Sequence, residues 1–192
     1  MPALRDGSTD NQGPWISRPR RRRAVPTAAT RRPRATLKAE GGLTPAIFRA
    51  MLTASAEAAF ADRDRLSELD GAIGDGDHGV TMEIGWKEVL AGLGATDDDA
   101  TIPELSKSAA HAFLEAVGAS VGPLYGSGFT SAGEAVADRL NLDAAAMVAW
   151  LAGLSEGIQK QGGAKPGEKT MVDVWVPAVA AARDALASGG SI

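Results

Sequence analysis

The sequence predicts an all-α fold, an antiparallel helical bundle or barrel, on three observations. After Gly41, apolar residues recur at three- and four-residue steps through most of the chain. No segment alternates as a half-buried strand would, and no β-branched run occurs. Glycine-rich connections separate the periodic stretches.

The elements follow in order. Thr44-Pro45 supplies an N-cap and a proline at the first helical position, and Ile47, Met51, Leu52, Ala58, Ala59 and Leu66 carry a helix to about Glu68. A second helix fits Val80 to Leu93 through Met82, Trp86 and Val89, ended by Gly92 and Gly94. Thr101-Ile-Pro-Glu104 has capping-box spacing and opens a third, running to about Val117. A fourth is expected from Ser127 to Leu140, a fifth from Asp143 to about Gln161, and a sixth from near Thr170 to Ala187. Pro177 should kink the sixth or break it, because proline removes one backbone donor.

A chain of 192 residues, 44% hydrophobic, can bury a sizeable core. It has no cysteine, which excludes disulfides, zinc-thiolate centres and thiol nucleophiles. No apolar run approaches the roughly 18 residues of a membrane span, and no secretory leader is recognisable, so a cytoplasmic location without membrane contact is expected. The formal charge of −4 conceals two unlike parts. Residues 1–38 carry ten Lys/Arg against Asp6 and Asp10, a net +8; the remainder carries ten Lys/Arg and 22 Asp/Glu, a net −12. Residues 1–40 are rich in Arg, Pro and Thr and too poor in apolar side chains to offset chain entropy, so they read as a disordered tail. Its Arg20–Arg23 run is short and unspecific, and an acidic body repels a nucleic-acid backbone; nucleic-acid binding is not expected.

Three connections are unusually rich in glycine: 70–79, 118–128 and 162–169. They follow the first, third and fifth expected helices. In an up-and-down bundle such alternate connections share one end, where loops can build a common site.

The first, Asp70-Gly-Ala-Ile-Gly-Asp-Gly-Asp-His-Gly79, places three carboxylates within eight residues. Clustered carboxylates repel one another unless a cation compensates, and a hard cation such as Mg²⁺ prefers oxygen donors. An EF-hand fails on spacing, since the twelfth position from Asp75 is Trp86 where a bidentate Glu is required. A plain Asp/Gly turn is the remaining alternative. His78 suits a ligand-positioning role better than a nucleophilic one, because the neighbouring carboxylates repel an anionic phosphoryl donor; His111, mid-helix, reads as structural. The second, Gly118 to Gly128, offers backbone donors and hydroxyls before a helix start, which suit phosphate. The third ends on Met171, whose thioether suits either an adenine face or ordinary core packing. Neither a P-loop nor a protein-kinase catalytic loop is present, so a nucleotide site here is of another type.

Taken together, Asp70–Gly79, Gly122-Pro-Leu-Tyr-Gly126 and Gly167-Glu-Lys-Thr-Met-Val-Asp173 resemble the nucleotide-binding (L) subunit of dihydroxyacetone, or glycerone, kinases, in order and in spacing over about residues 43 to 187. The resemblance implies an antiparallel eight-helix barrel, of which about six helices are present here, and assigns 41–192 to that domain. It implies that Asp70, Asp75 and Asp77 ligate two Mg²⁺ ions, that His78, Gly79, Val80, Thr81, Ala119 and Ser120 contact the nucleotide, and that Gly162 and Met171 line its adenine pocket. The nucleotide would be ADP or ATP. The ketose acceptor would sit on a separate K subunit, and in some relatives a phosphotransferase-system protein rephosphorylates bound ADP. No catalytic side chain of this chain's own is implied. Phosphoryl transfer then depends on positioning and on charge neutralisation by metal.

The chain departs from the pattern at Thr81, where many relatives carry Asn. It also ends at Ile192, without the arginine and Asp-Pro-Gly segment that relatives carry in two further helices, and so reads as C-terminally truncated. Truncation would expose an apolar seam and favour oligomerisation. An inactive fragment or non-catalytic binding partner, and a nucleotide domain serving another acceptor (a tetrulose or a fatty acid), are the alternative functions.

Overall fold

The computed structural model describes residues 42–118 and 120–190; the expected tail over 1–40, and Ala119, lie outside the described residues. Among the described residues the fold is all-α, with seven helices: α1 Pro45–Ala61, α2 Arg63–Gly71, α3 His78–Gly94, α4 Ile102–Ala116, α5 Val121–Ala135, α6 Ala144–Gly162 and α7 Val172–Ala187. None is long and apolar enough to cross a membrane.

Short connections force successive helices to lie against one another. The most extensive packing is α5 on α6, followed by α4 on α5 and α3 on α4; α1 and α2 pack on α3, and α7 on α6. The chain enters α1 through a two-residue antiparallel bridge, Leu43 N–H to Leu142 O at 2.8 Å and Leu142 N–H to Leu43 O at 2.9 Å. Gly42 permits it: φ is +133°, and a Cβ there would lie 2.3 Å from Leu142 O. Thr44 Oγ1 then accepts from the Ile47 amide at 3.3 Å, as the Thr-Pro pair predicts. Asp143 caps α6 in the same way, accepting from Ala146 N–H at 2.7 Å. The Thr101/Glu104 capping box forms at the start of α4.

The core is aromatic at its centre. Phe113 stacks on Tyr125 and Phe129 and meets Trp86 edge-on, and Phe48 of α1 meets Trp150 of α6 edge-on at 5.3 Å. Gly85 makes room for the Phe113 ring, since a Cβ at 85 would lie 2.3 Å from it. The Trp150 indole donates to Ser106 Oγ at 2.9 Å, so the one polar atom the indole buries is satisfied.

Three expectations about helices need correction. The first helix is two: it breaks at Asp62, with neither glycine nor proline to mark the place, because α2 turns to pack on α3. Gly79 lets α2 come that close; a Cβ on it would lie 1.9 Å from Arg63 O. The fourth expected helix starts at Val121 rather than Ser127 and ends at Ala135 rather than Leu140. Pro123 costs nothing there, because amides in the first helical turn have no intrahelical acceptor. Gly122 and Gly126 face α4 and Gly128 faces α6, so these glycines belong to helix packing and the connection shrinks to residues 117–120. Finally, of the two outcomes expected at Pro177 the break does not occur, since α7 continues through it as one helix.

Candidate functional site

The first connection is shaped by Asp70, at the end of α2. Its carbonyl accepts from the amides of Ile73 (3.1 Å) and Gly74 (2.6 Å), closing a tight turn. Its carboxylate Oδ2 accepts from the amides of Asp77 (3.1 Å) and His78 (3.3 Å), which pins the start of α3 back onto the end of α2. Gly74 leaves room for Oδ1, to which a Cβ would approach within 2.5 Å, and Gly76 turns the chain with φ +76°. The Gly79 amide is taken by Ser67 Oγ at 3.2 Å.

This turn brings Asp70, Asp75 and Asp77 together, with one oxygen from each lying within 4.8 Å of the others. Asp70 is half-buried and the other two are exposed. The donor set fits a hard divalent cation. It is all oxygen, it carries three formal negative charges, and its oxygens lie close enough together to share a divalent ion. Further along the same helix pair, α2 meets α3 through an ion pair between Arg63 Nε and Glu83 at 2.6 Å. Lys87 hydrogen-bonds Glu83 from one turn on and holds its carboxyl below the usual range, with Arg63 adding to the effect.

Next to the cluster lies a cavity of about 580 Å³, large enough for a mononucleotide-sized ligand. All three connections contribute to it: His78 from the first, Ser120 from the second, and Gly162, Thr170 and Met171 from around the third. Leu124 and Ile158 supply apolar wall from α5 and α6. The convergence expected of alternate connections in an up-and-down bundle is therefore present.

Of the residues expected at a nucleotide, His78, Ser120, Gly162 and Met171 line this cavity. Gly79, Val80 and Thr81 do not: Gly79 is buried against α2, Val80 is exposed, and Thr81 is half-buried in the first turn of α3. Ala119 is outside the described residues. A second groove, about 510 Å³ between α3 and α4, is lined by Ile84, Glu88, Ser108, His111 and Glu115 and contains none of the expected residues. His111, read from the sequence as structural, lies on the surface there, 3.9 Å from Glu115.

Two residues left without a role by the sequence, Asp173 of α7 and Tyr125 of α5, also make defined contacts. Asp173, in the first turn of α7, accepts from the Gly167 amide at 2.5 Å and the Thr170 amide at 3.2 Å. The Gly167 bond above all, with those from Thr170 and Lys169, holds its carboxyl below the usual carboxylate value, while partial desolvation opposes them. Tyr125, packed on Phe113, is pushed up by burial, and a hydrogen bond with Trp175 of α7 works against that shift. The signal for Asp173 was an acid three residues beyond Thr170, at the start of a helix preceded by a glycine-bearing turn.

Comparison with known proteins points to one family. The chain is 39% identical over 118 residues to "PEP-dependent dihydroxyacetone kinase 1, ADP-binding subunit DhaL" of Listeria innocua, covering 62% of this chain and 59% of that protein. It is 44% identical over 110 residues to "PTS-dependent dihydroxyacetone kinase, ADP-binding subunit DhaL" of Lactococcus lactis, covering 57% and 54%. A longer match, 30% identity over 183 residues, joins 92% of this chain to 30% of the "D-erythrulose kinase" of Mycolicibacterium smegmatis. The chain thus spans a little over half the length of the subunits it matches. The family described as DAK2 domain matches residues 72–192, which take in two of the three carboxylates and every described residue named above as lining the cavity. On that match, the chain belongs to the DAK2 domain family.

Proposed function

We propose that this chain is the Mg²⁺–nucleotide-binding part of a dihydroxyacetone-type kinase, carrying a phosphoryl group from ATP, or on ADP recharged in place, to a ketose held by a separate K subunit. One observation carries the reading: the carboxylate cluster of Asp70, Asp75 and Asp77 adjoins, through His78, a cavity walled by all three glycine-rich connections. Relatives whose names specify an ADP-binding subunit of dihydroxyacetone kinase support it.

Asp70, Asp75 and Asp77 would hold one or two Mg²⁺ ions, which when bound neutralise polyphosphate charge and polarise the transferred group. His78, Ser120 and the α5 N-terminus would face the phosphates, where helix-start amides favour anions. Met171, Gly162, Leu124 and Ile158 would enclose the base, an apolar slot suited to a purine face. The protein supplies position and charge, and no side chain needs to form a covalent intermediate.

An acceptor presented by another protein requires a docking surface beside the metal. Ile73, 99% exposed, and Leu69, 60% exposed, flank the carboxylates and suit that purpose. A phosphotransferase-system donor protein would have to approach the same end, and a cytoplasmic location follows from such partners. A second reading, a four-carbon ketose as acceptor, is favoured by the match of 92% of this chain to a D-erythrulose kinase.

Isothermal titration of the chain with ADP and Mg²⁺ tests the proposal. Binding should require the metal and should be abolished by Asp75→Ala. Asp75 is exposed and packs against nothing in the core, so helical circular dichroism should be unchanged. Undiminished binding in the variant would overturn the metal assignment.

A further inference from the structure

We propose that Asp173 is a positioning residue for the nucleotide base: its carboxylate holds the Gly167–Met171 turn in the shape that forms one wall of the cavity. This rests on the nucleotide reading above and adds a residue to it.

The turn between α6 and α7 cannot hold this shape unaided. Gly167 has φ +93° and Lys169 has φ +59°, the latter a left-handed position that costs a residue with a side chain about 1 kcal/mol. The turn's own closures are slight. Lys165 N–H reaches Glu168 Oε2 at 2.9 Å, and Glu168 N–H reaches Lys165 O at 3.2 Å, both on the exposed side. Asp173 supplies the rest, Oδ1 taking the Gly167 amide and Oδ2 the Thr170 amide. These are charge-assisted bonds, stronger than neutral ones.

The reach of one bond separates this role from helix capping. The Thr170 bond has the i,i+3 spacing of the Thr101/Glu104 capping box, whereas the Gly167 bond reaches six residues back, outside α7 and beyond any cap. At the helix start the Val172 amide goes instead to Thr170 Oγ1, at 3.2 Å. Asp173 itself stands on a fixed platform, because Val172 beside it and Val179 two turns on are buried. The carboxylate therefore ties a strained turn to a packed helix, and the residues immediately following its second bond, Thr170 and Met171, are the ones that line the cavity. The carboxylates Asp70, Asp75 and Asp77 belong to a different connection, so phosphate and metal should not sense the change.

The test compares two ligands on the full chain by isothermal titration: Mg²⁺–ADP, which has a base, and Mg²⁺–pyrophosphate, which does not. Asp173→Asn replaces one acceptor oxygen with a donor and should weaken ADP about tenfold or more, as loss of a charge-assisted bond implies. It should leave pyrophosphate binding within about twofold of the unaltered chain, well short of the loss that one such bond carries. Gly167→Ala reaches the turn independently: φ +93° strains an alanine, while its Cβ would meet no atom within 4 Å, so the interior is untouched. It should give the same selective loss. Equal weakening of both ligands, or no weakening of ADP in either variant, would overturn the proposal. An unaltered chain that binds neither ligand would instead overturn the nucleotide reading, and the proposal with it.

Discussion

Among single residues, the two carboxylates that organise the connections behave differently from the two that stand exposed at the cluster. Asp70 spends Oδ2 on two backbone amides and Asp173 spends both oxygens, whereas Asp75 and Asp77 are exposed at the cluster. Asp173 makes this difference measurable with pH. Its amide partners, Gly167 first, depress its pKa in the folded chain. The unfolded chain therefore takes up the proton first, and stability rises with pH across that interval. The contribution of Asp173 is fully present above the ordinary carboxylate value near 4 and is lost as pH falls through the lower folded value. Melting temperatures of the unaltered chain and Asp173→Asn, compared from about pH 6 to about pH 3, should differ by a constant amount near neutrality and converge below about pH 4. A difference that persists unchanged into acid would show that the carboxylate is not what holds the turn. That Asp70, Asp75 and Asp77 come together was legible, because they lie within eight residues of one glycine-rich turn. The role of Asp173 was not, because an acid three residues beyond Thr170 at a helix start reads as a cap, and nothing local shows that it reaches back to Gly167.

The helices show where periodicity informs and where it misleads. Helices α3, α4 and α6 lie close to where their apolar spacing and caps place them, since a repeat of 3.6 residues and an Asp or Thr cap are local properties. The start of α5 was missed because glycine reads as loop, while here Gly122, Gly126 and Gly128 let neighbouring backbones approach. The same use of glycine recurs on α6. A Cβ on Gly157 would lie 2.4 Å from Ser127 O and 2.9 Å from Gly128 Cα, against the backbone of α5, so no side chain can yield to it. Gly157→Ala should therefore cost about 1–3 kcal/mol in urea unfolding, as overpacking does. Gly94, at the end of α3, meets no atom within 4 Å, and Gly94→Ala should be neutral or stabilising by up to about 1 kcal/mol through its helix propensity. If both variants unfold at the same denaturant concentration, close approach of α5 and α6 is not what selects glycine at 157. The break between α1 and α2 is likewise tertiary: it follows from packing on α3, and the sequence at Asp62 contains nothing that announces it.

At the scale of the whole molecule, the cavity's walls come from elements that are distant in sequence but fixed by one core: the start of α3, the start of α5, the end of α6 and the start of α7. The order of the connections let that convergence be foreseen, since alternate ends of an up-and-down bundle coincide. A ligand spanning the cavity and the carboxylates would touch four helices at once, and it could not bind the unfolded chain, where those residues are dispersed. It must then stabilise the fold by mass action, about 2.7 kcal/mol at a concentration one hundred times its dissociation constant. For a chain of this size that corresponds to a rise in melting temperature of roughly 5–10 °C. Three carboxylates repel the polyphosphate when no cation is present, so ADP alone should give little of this rise, Mg²⁺ alone a small one, and the two together the full shift. Chelation of the metal should return the melt to its starting point. A full shift with ADP in the presence of chelator would show that the cavity binds the nucleotide without the cluster, and would separate two features that the geometry joins through His78.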